Sequence, residues 1–151
     1  MEISGEHTFE ADRSLVWQLL LDPDAIQEAI PGCEEMTPRD GEGEVYDVKV
    51  SVGISAIKGT YSGTVEVADQ QPEESYRLVA SGKARPGSVR GSATLELEPR
   101  DGTTVVRYHG DVQAQGAIAR VGNRLLGRAA KMMIGQFFDG MDEQVKARRS
   151  S

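Results

Sequence analysis

The sequence contains few of the residues that most often build a catalytic centre or a metal site. It has one cysteine, Cys33, and two histidines, His7 and His109. A single cysteine cannot form a disulfide within the chain or supply a paired-cysteine metal site, which is typical of proteins in a reducing compartment. No metal-ligand spacing and no phosphate-binding glycine loop occurs, so we predict neither a metal nor another cofactor.

Long apolar runs and a targeting segment are also lacking. Nowhere do eighteen apolar residues follow one another, and residues 1–6 lack the basic stretch and apolar run of a signal peptide. We therefore expect a cytoplasmic, soluble protein, and peripheral contact with the inner face of the membrane stays open. At 151 residues the chain fits one domain, which we place at residues 1–149, followed by a short tail at residues 150–151.

Charge is unevenly distributed along the chain. The formal net charge is −7, which argues against a general nucleic-acid binder because phosphate neutralisation needs concentrated lysine and arginine. Residues 117–151 nevertheless hold seven basic and three acidic side chains, a local charge of +4 that leaves −11 for the remainder. Either this segment contacts an acidic partner or an anionic membrane surface, or its basic side chains form an ordinary solvated helix face.

Alternating polar and apolar residues predict an antiparallel sheet of about seven strands. One face of each strand is apolar and the other polar, as expected for an antiparallel sheet with one face in water. Because strands and helices do not alternate along the chain, a doubly wound parallel sheet is not expected. The predicted strands cover residues 2–10, 33–37, 46–52, 60–67, 76–83, 90–98 and 104–112.

Two short helices are predicted between the first two strands, and one long helix after the last strand. Asp12 or Ser14 can cap the first helix, which ends before Pro23 because proline disfavours a helical conformation in the residue before it. The second short helix covers residues 23–29. Since proline is absent from residues 117–149, this last segment is predicted to be one long helix.

The predicted long helix contains residues that are unusual in a helix serving only to fill a core. Four glycines and three methionines occur in it, although each interior glycine costs about 1 kcal/mol relative to alanine. Small residues allow close approach of another surface and methionines fill irregular volumes, so this composition favours a helix lying over a cavity. Beyond Gly135 its apolar side turns by about a third of a revolution. We therefore predict either a bend near Gly135 or two different contacts, the first half covering the cavity and the second half packing on the short helices.

Several short motifs occur in the same order as in a known family. They are Ser4-Gly5-Glu6, Val16-Trp17 followed by Asp22-Pro23, Ile30-Pro31-Gly32-Cys33, Gly91-Ser92-Ala93 with Leu95 and Leu97, Gly116-x-Ile118-Ala119-x-Val121-Gly122-x-Arg124, and Phe137-Phe138. With the order of elements, they make the chain resemble CoxG, a family of carbon monoxide dehydrogenase subunits within the START-like, or SRPBCC, helix-grip superfamily. The resemblance implies an α+β fold in which a curved antiparallel sheet wraps around a long C-terminal helix and an apolar cavity.

The resemblance also implies a function. It points to a non-catalytic protein that binds a hydrophobic small molecule, quinone- or lipid-like, in an internal cavity. Members of the family are associated with molybdenum hydroxylases of the carbon monoxide dehydrogenase type, with membrane recruitment of that enzyme and with delivery of an electron acceptor. The implied partners are therefore the small molecule, a molybdenum hydroxylase and the membrane surface, with no nucleic acid.

Two other functions stay open. The same superfamily includes cyclases and dehydratases, and His7, which alternation places on the inward face, could transfer protons together with a tyrosine. We favour a satisfied interior or rim histidine because no other acid or base is expected beside it, and His109 falls on the outer face. A purely structural adaptor would instead bind its partner without any internal ligand.

The predicted ligand wall combines tyrosine hydroxyls, which can orient polar ligand atoms, with aliphatic side chains that bury the ligand. It consists of Tyr46, Val48, Tyr61, Leu78, Leu95, Tyr108, Leu125, Ala129, Met132 and Met133. The predicted membrane or partner surface lies on the opposite side of the long helix. It consists of Arg120, Arg124, Arg128 and Lys131, which we name the basic row.

Overall fold

Across its described residues, the chain folds in the predicted order of one strand, two short helices, six strands and a long helix. The computed structural model describes residues 1–40, 44–54, 57–85 and 87–149. The strands are β1 (Glu2–Phe9), β2 (Cys33–Pro38), β3 (Val45–Val52), β4 (Gly59–Gln71), β5 (Ser75–Ala84), β6 (Gly87–Arg100) and β7 (Thr103–Gln115). The helices are α1 (Arg13–Leu20), α2 (Pro23–Ala29) and α3 (Asn123–Arg149), with a 3-10 helix at Gly116–Val121 before α3. The predicted tail, residues 150–151, lies outside the described residues.

The strands of the described ranges form one antiparallel sheet, in the order β1-β7-β6-β5-β4-β3-β2. The first strand pairs with the last, so that Glu2 lies opposite Asp111 and Phe9 lies opposite Thr104. The predicted alternation holds, because Tyr76 is buried while the next residue, Arg77, is exposed. The predicted α+β helix-grip architecture is thereby confirmed, with the apolar face of the sheet turned toward the long helix.

Each short helix begins at a capping aspartate. The Asp12 carboxylate accepts a hydrogen bond from the backbone N–H of Leu15 at 2.9 Å, so Asp12 rather than Ser14 caps α1. In α2 the Asp22 carboxylate accepts from the N–H of Asp24 at 3.0 Å, and proline occupies the first helical turn, where its missing N–H costs nothing. The observed bounds of α2 are the predicted ones.

The core divides into two clusters of buried side chains. The larger cluster lies between the sheet, α1, α2 and the second half of α3, and includes Phe9, Leu19 and Met141. The smaller cluster consists of Val52, Tyr61 and Ile118, at the end of the sheet where the 3-10 helix crosses. The packing is therefore dense at one end of the molecule and sparse at the other.

The long helix begins later than the sequence predicts. The predicted start near Ala117 falls in the 3-10 helix, and α3 starts only at Asn123. Gly116 and Gly122 flank the 3-10 helix with φ angles of 84° and 95°, a backbone conformation that favours glycine. Between them Ile118 is 1% exposed, so the local change of direction allows this side chain to enter the smaller cluster.

Of the two alternatives predicted for the long helix, the structure supports two different contacts. From Asn123 to Arg149 the helix is continuous through Gly135. Its buried residues are Ala129 in the first half and Phe138, Met141 and Val145 in the second half. The second half packs on α1, α2 and β1. None of the described helices is both long enough and apolar enough to cross a bilayer.

Candidate functional site

An apolar cavity lies between the inward face of the sheet and the first half of α3. Its volume is about 370 Å³, and we name it the inner cavity. Aliphatic side chains and the backbone of small residues form most of its surface. Its lining includes Tyr61, Ala80, Gly82, Ile118, Leu126 and Met133.

A second cavity adjoins the first at the start of α3. Its volume is about 450 Å³, and we name it the outer cavity. It is bordered by the last residues of β7, by Ala119 of the 3-10 helix and by Asn123, Ala129 and Ala130 of α3. Both cavities share five lining residues, namely Ile57, Val89, Val112, Leu126 and Met133. The two spaces are therefore separated only by side chains that both of them contact.

The inner cavity exists partly because small residues occupy inward positions of the sheet. A β-carbon added at Gly82 would lie 3.5 Å from the Tyr61 β-carbon, an ordinary contact, so this glycine leaves space that a side chain could fill. Gly91 and Gly110 are different, because an added β-carbon would collide with the carbonyl oxygens of Asp111 and Ser92 respectively. These two glycines permit close approach of neighbouring strands rather than providing cavity volume.

The hydroxyl groups of two predicted wall tyrosines already have partners. Tyr61 donates a hydrogen bond to the Ile57 carbonyl oxygen at 2.6 Å, and Tyr46 donates to a carboxylate oxygen of Glu44 at 3.1 Å. Burial raises the pKa of Tyr61, and burial followed by the hydrogen bond with Glu44 raises the pKa of Tyr46. Both side chains are therefore neutral over the physiological range, and their hydroxyls stabilise the wall.

The structure distributes the predicted ligand wall over three places. Val48, Tyr61, Ala129 and Met133 line the inner cavity, the outer cavity or both. Tyr46, Leu78, Leu95 and Tyr108 belong to the larger core cluster or pack against it, and they line neither cavity. The remaining two residues, Leu125 and Met132, lie on the outer side of α3.

Leu125 and Met132 were predicted to face inward, and that prediction is wrong. They are 48% and 46% exposed. The inward face is instead formed by Leu126, Ala129 and Met133, which follow one another at the helical spacing of three and four residues. Leu125 and Met132 each precede an inward residue, so both are rotated by about 100° toward solvent. The sequence signal for Leu126 was this spacing, which an apolar side drawn too broadly concealed.

The basic row lies on the outer side of the same helix region. Arg120, Arg124, Arg128 and Lys131 are all exposed, and none has a carboxylate partner among residues 1–40, 44–54, 57–85 and 87–149. Leu125 and Met132 border this row along α3. The first half of α3 therefore presents a cavity wall on one side and a cationic surface with two exposed apolar side chains on the other.

His7 has an acidic partner that the sequence did not predict. Its Nε2 lies 3.0 Å from both carboxylate oxygens of Asp142, on the second half of α3. The imidazole stacks on Phe138 with a centroid distance of 4.9 Å and an interplanar angle of 9°, and its edge contacts Phe9. The expectation that no acid joins His7 is therefore wrong, because 135 positions separate the pair in the chain and no local pattern connects them.

The other candidate reactive groups lie away from the cavities. His109 is exposed on the outer face, as predicted, with Nε2 3.7 Å from Glu96. Burial raises the pKa of the Cys33 thiol, which keeps it in the less nucleophilic protonated form. Nowhere in the described part of the chain do three or more His, Cys, Asp or Glu side chains come together as a metal site.

Comparison with known proteins identifies relatives over nearly the whole chain. The model of the carbon monoxide dehydrogenase subunit family CoxG matches residues 5–146. A crystal structure of a conserved protein from Geobacillus kaustophilus shares 30% identity, with coverage of 97% of this chain and 96% of that chain and a TM-score of 0.92. No curated protein matches.

More distant solved structures share the fold alone. An aromatase/cyclase from a Streptomyces species is 13% identical, with 98% and 94% of the two chains covered and a TM-score of 0.74. A START superfamily protein from Mycobacterium smegmatis is 12% identical, with 97% of each chain covered and a TM-score of 0.71. The architecture is therefore that of the START superfamily.

Proposed function

The chain belongs to the CoxG family of carbon monoxide dehydrogenase subunits, and on this premise we propose that it binds a hydrophobic small molecule in the inner cavity. The ligand is quinone- or lipid-like. Its binding supports membrane recruitment or electron-acceptor delivery for a molybdenum hydroxylase of the carbon monoxide dehydrogenase type.

The observation that carries this proposal is the apolar lining of the inner cavity. The side chains of Val48, Ile118 and Met133 offer no hydrogen bond, and the Tyr61 hydroxyl is already bonded to the Ile57 carbonyl oxygen. Water in such a space would lose hydrogen bonds, whereas an apolar ligand would remove its own surface from water at about 25 cal/mol per Å². The cavity therefore favours a hydrophobic occupant.

We propose that the protein is not an enzyme. His7 and Asp142 are the pair best suited to proton transfer, but neither lines the inner or the outer cavity. Their pairing joins β1 to α3 between the rings of Phe9 and Phe138. This position supports a structural role, in which the pair holds the second half of α3 on the sheet.

We assign the docking role to the basic row. Its four cations lie beside the exposed side chains of Leu125 and Met132, a combination that suits an anionic membrane surface. The cavity wall is the opposite side of the same helix region. A protein docked in this way would hold the cavities close to the membrane from which a hydrophobic ligand comes.

Native mass spectrometry of protein purified gently from its own host tests the ligand proposal. We expect a co-purifying quinone or lipid that is lost from Ala80→Leu, because Ala80 lines the inner cavity and a larger side chain would occupy it. The loss in affinity for a re-added ligand should be about tenfold or more. Ser62→Leu is the matched control, since Ser62 is exposed on β4 and lines neither cavity. Equal ligand retention by Ala80→Leu and Ser62→Leu would remove the inner cavity as the site.

A further inference from the structure

The shared wall of the two cavities suggests that one molecule occupies both. Leu126 and Met133 of α3 face Val89 and Val112 of the sheet across the boundary between the inner and outer cavities. Methionine is unbranched and adapts its rotamer to irregular volumes, so Met133 can move aside for a ligand that passes between the two spaces. The occupant is therefore elongated.

The polarity of the two spaces differs. In the inner cavity, Tyr61 is the tyrosine of the lining and its hydroxyl is bonded to the protein, while Thr64 and Ser81 have their hydroxyls 3.5 Å apart on the outer face of the sheet. The outer cavity is bordered by the amide residues Gln113, Gln115 and Asn123, all exposed to water. Burying a polar group without a partner costs several kcal/mol on hydrocarbon scales. The apolar part of a ligand therefore belongs in the inner cavity and its polar end in the outer cavity.

Charge is absent from this combined surface. No Asp, Glu, Lys or His of the described ranges lines either cavity, and the arginine of the inner lining, Arg90, is exposed on the outer face of the sheet. The Met1 amino group borders the outer cavity, but it is already paired with Asp111 at 3.1 Å. An ionised carboxylate or phosphate placed here would lose its hydration without gaining a free cation.

From these observations we infer that the ligand is an uncharged amphiphile with one apolar tail. Its tail occupies the inner cavity, and its neutral, hydrogen-bonding head lies in the outer cavity near Ala119 and Asn123. At roughly 30 Å³ for each water-sized group, the inner cavity of about 370 Å³ holds about a dozen such groups. It accommodates a single chain rather than the two acyl chains of a phospholipid. This inference rests on the proposed function and specifies the ligand of the same site.

Two probes that differ only in head charge test the selectivity. Isothermal titration calorimetry of the full chain with dodecan-1-ol and with dodecanoate, at neutral pH and below their aggregation limits, compares a neutral and an anionic head on one tail. We expect the alcohol to bind about tenfold or more tightly than the carboxylate. Equal or tighter binding of the carboxylate would overturn the inference and leave the proposed hydrophobic site intact. Binding of neither probe would remove the proposed function and the inference together.

A variant that adds a cation tests where the head lies. Ala119 lines the outer cavity and is exposed, so Ala119→Lys should raise the affinity for dodecanoate about tenfold and leave that for dodecan-1-ol nearly unchanged. Ala117→Lys is the matched control, because Ala117 is exposed on the same 3-10 helix but lines neither cavity. The same carboxylate affinity in both variants would show that the head lies elsewhere and overturn the assigned orientation. If Ala119→Lys does not fold, judged by its thermal transition, the comparison of the two probes on the unaltered chain still decides the selectivity.

Discussion

The two halves of α3 belong to one continuous helix, but their surroundings differ sharply. Residues 123–134 have one buried member, Ala129, and line both cavities, while Leu125 and Met132 are about half exposed. Residues 135–149 bury Phe138, Met141 and Val145, each 5% exposed or less. The first half therefore borders the cavities on its inner side, and the second half packs its inner side against the core.

This difference shows how one helix can combine attachment with ligand binding. The contacts of the second half with α2 and with His7 position the whole helix. The first half need not fill the core beneath it, because the second half already holds it in place. Space for a ligand can then exist under a helix without loss of the fold.

The largest effect that distinguishes the two halves is expected from core truncation. Met141→Ala should lower the free energy of unfolding by about 2–5 kcal/mol, because Met141 is 1% exposed and its removal leaves a cavity. Met133→Ala should cost about 1 kcal/mol, because this side chain already borders both cavities. Chemical denaturation of both variants measures the contrast. Equal losses would mean that the first half carries as much of the stability as the second.

The next effect concerns the outer side of the first half. Arg124→Glu combined with Arg128→Glu should weaken binding to phosphatidylglycerol vesicles by about 2–4 kcal/mol, at about 1 kcal/mol for each unit of charge near an anionic surface. The melting temperature should hardly change, because both side chains are exposed and have no carboxylate partner within the described residues.

The matched control for this charge reversal is Lys49→Glu combined with Lys83→Glu. It makes the same change of net charge at exposed positions on the sheet. Vesicle cosedimentation should separate the two double variants. If both bind equally well, the basic row has no role in membrane contact.

Two glycines of α3 provide a smaller and sharper comparison. An added β-carbon at Gly140 would lie 2.7 Å from the Ala29 α-carbon, so Gly140→Ala should destabilise the protein by about 1–3 kcal/mol through overpacking against α2. Gly135 has no atom within 4 Å of the same position, and Gly135→Ala should stabilise by about 1 kcal/mol through helix propensity. Thermal unfolding gives both signs. Changes of the same sign in both variants would contradict the assigned contact.

The smallest expected effect lies outside α3 and serves to show that the contrast is local. The hydrogen bond and charge of Arg107 hold the pKa of Glu98, on the outer face of the sheet, below its ordinary value of 4.5. Ionised Glu98 therefore adds stability above pH 4.5, and this contribution is lost as the pH falls through the lowered pKa. Glu98→Gln should be slightly less stable than the parent at about pH 7 and equally stable near pH 2. A stability difference that is independent of pH would exclude this account.

Local patterns in the sequence predicted most of the fold. Alternation identified the strands because each has one buried and one exposed face, and Asp22-Pro23 defined the start of α2 because the cap and the proline act within a single turn. The break before α3 escaped prediction, since the 3-10 helix at Gly116–Val121 has apolar residues at helix-like spacing. Only the positive φ angles at Gly116 and Gly122 distinguish it, and a sequence does not reveal them.

The candidate site was harder to predict than the fold. Tyr61 and Met133 were identified because inward position follows from strand and helix periodicity. Leu125 was chosen in place of Leu126 because one residue of error in the helix register rotates a side chain by about 100°. The partnership of His7 with Asp142 depends on how α3 lies across β1, which is a tertiary feature. Periodicity therefore gives the facing of residues, whereas cavities depend on how the elements pack.

The strand order also has a consequence for how the chain folds. β1 leaves the ribosome first, yet its neighbour in the sheet is β7, and Glu2 must wait for Asp111 before it can pair. During synthesis the first strand therefore has no partner until roughly a hundred further residues have emerged. Sheets that close through such distant pairings fold slowly, and their unpaired edges are exposed to misassociation meanwhile. The joining of the chain's beginning to its last strand is accordingly expected to be a late event, completed only when β7 is available.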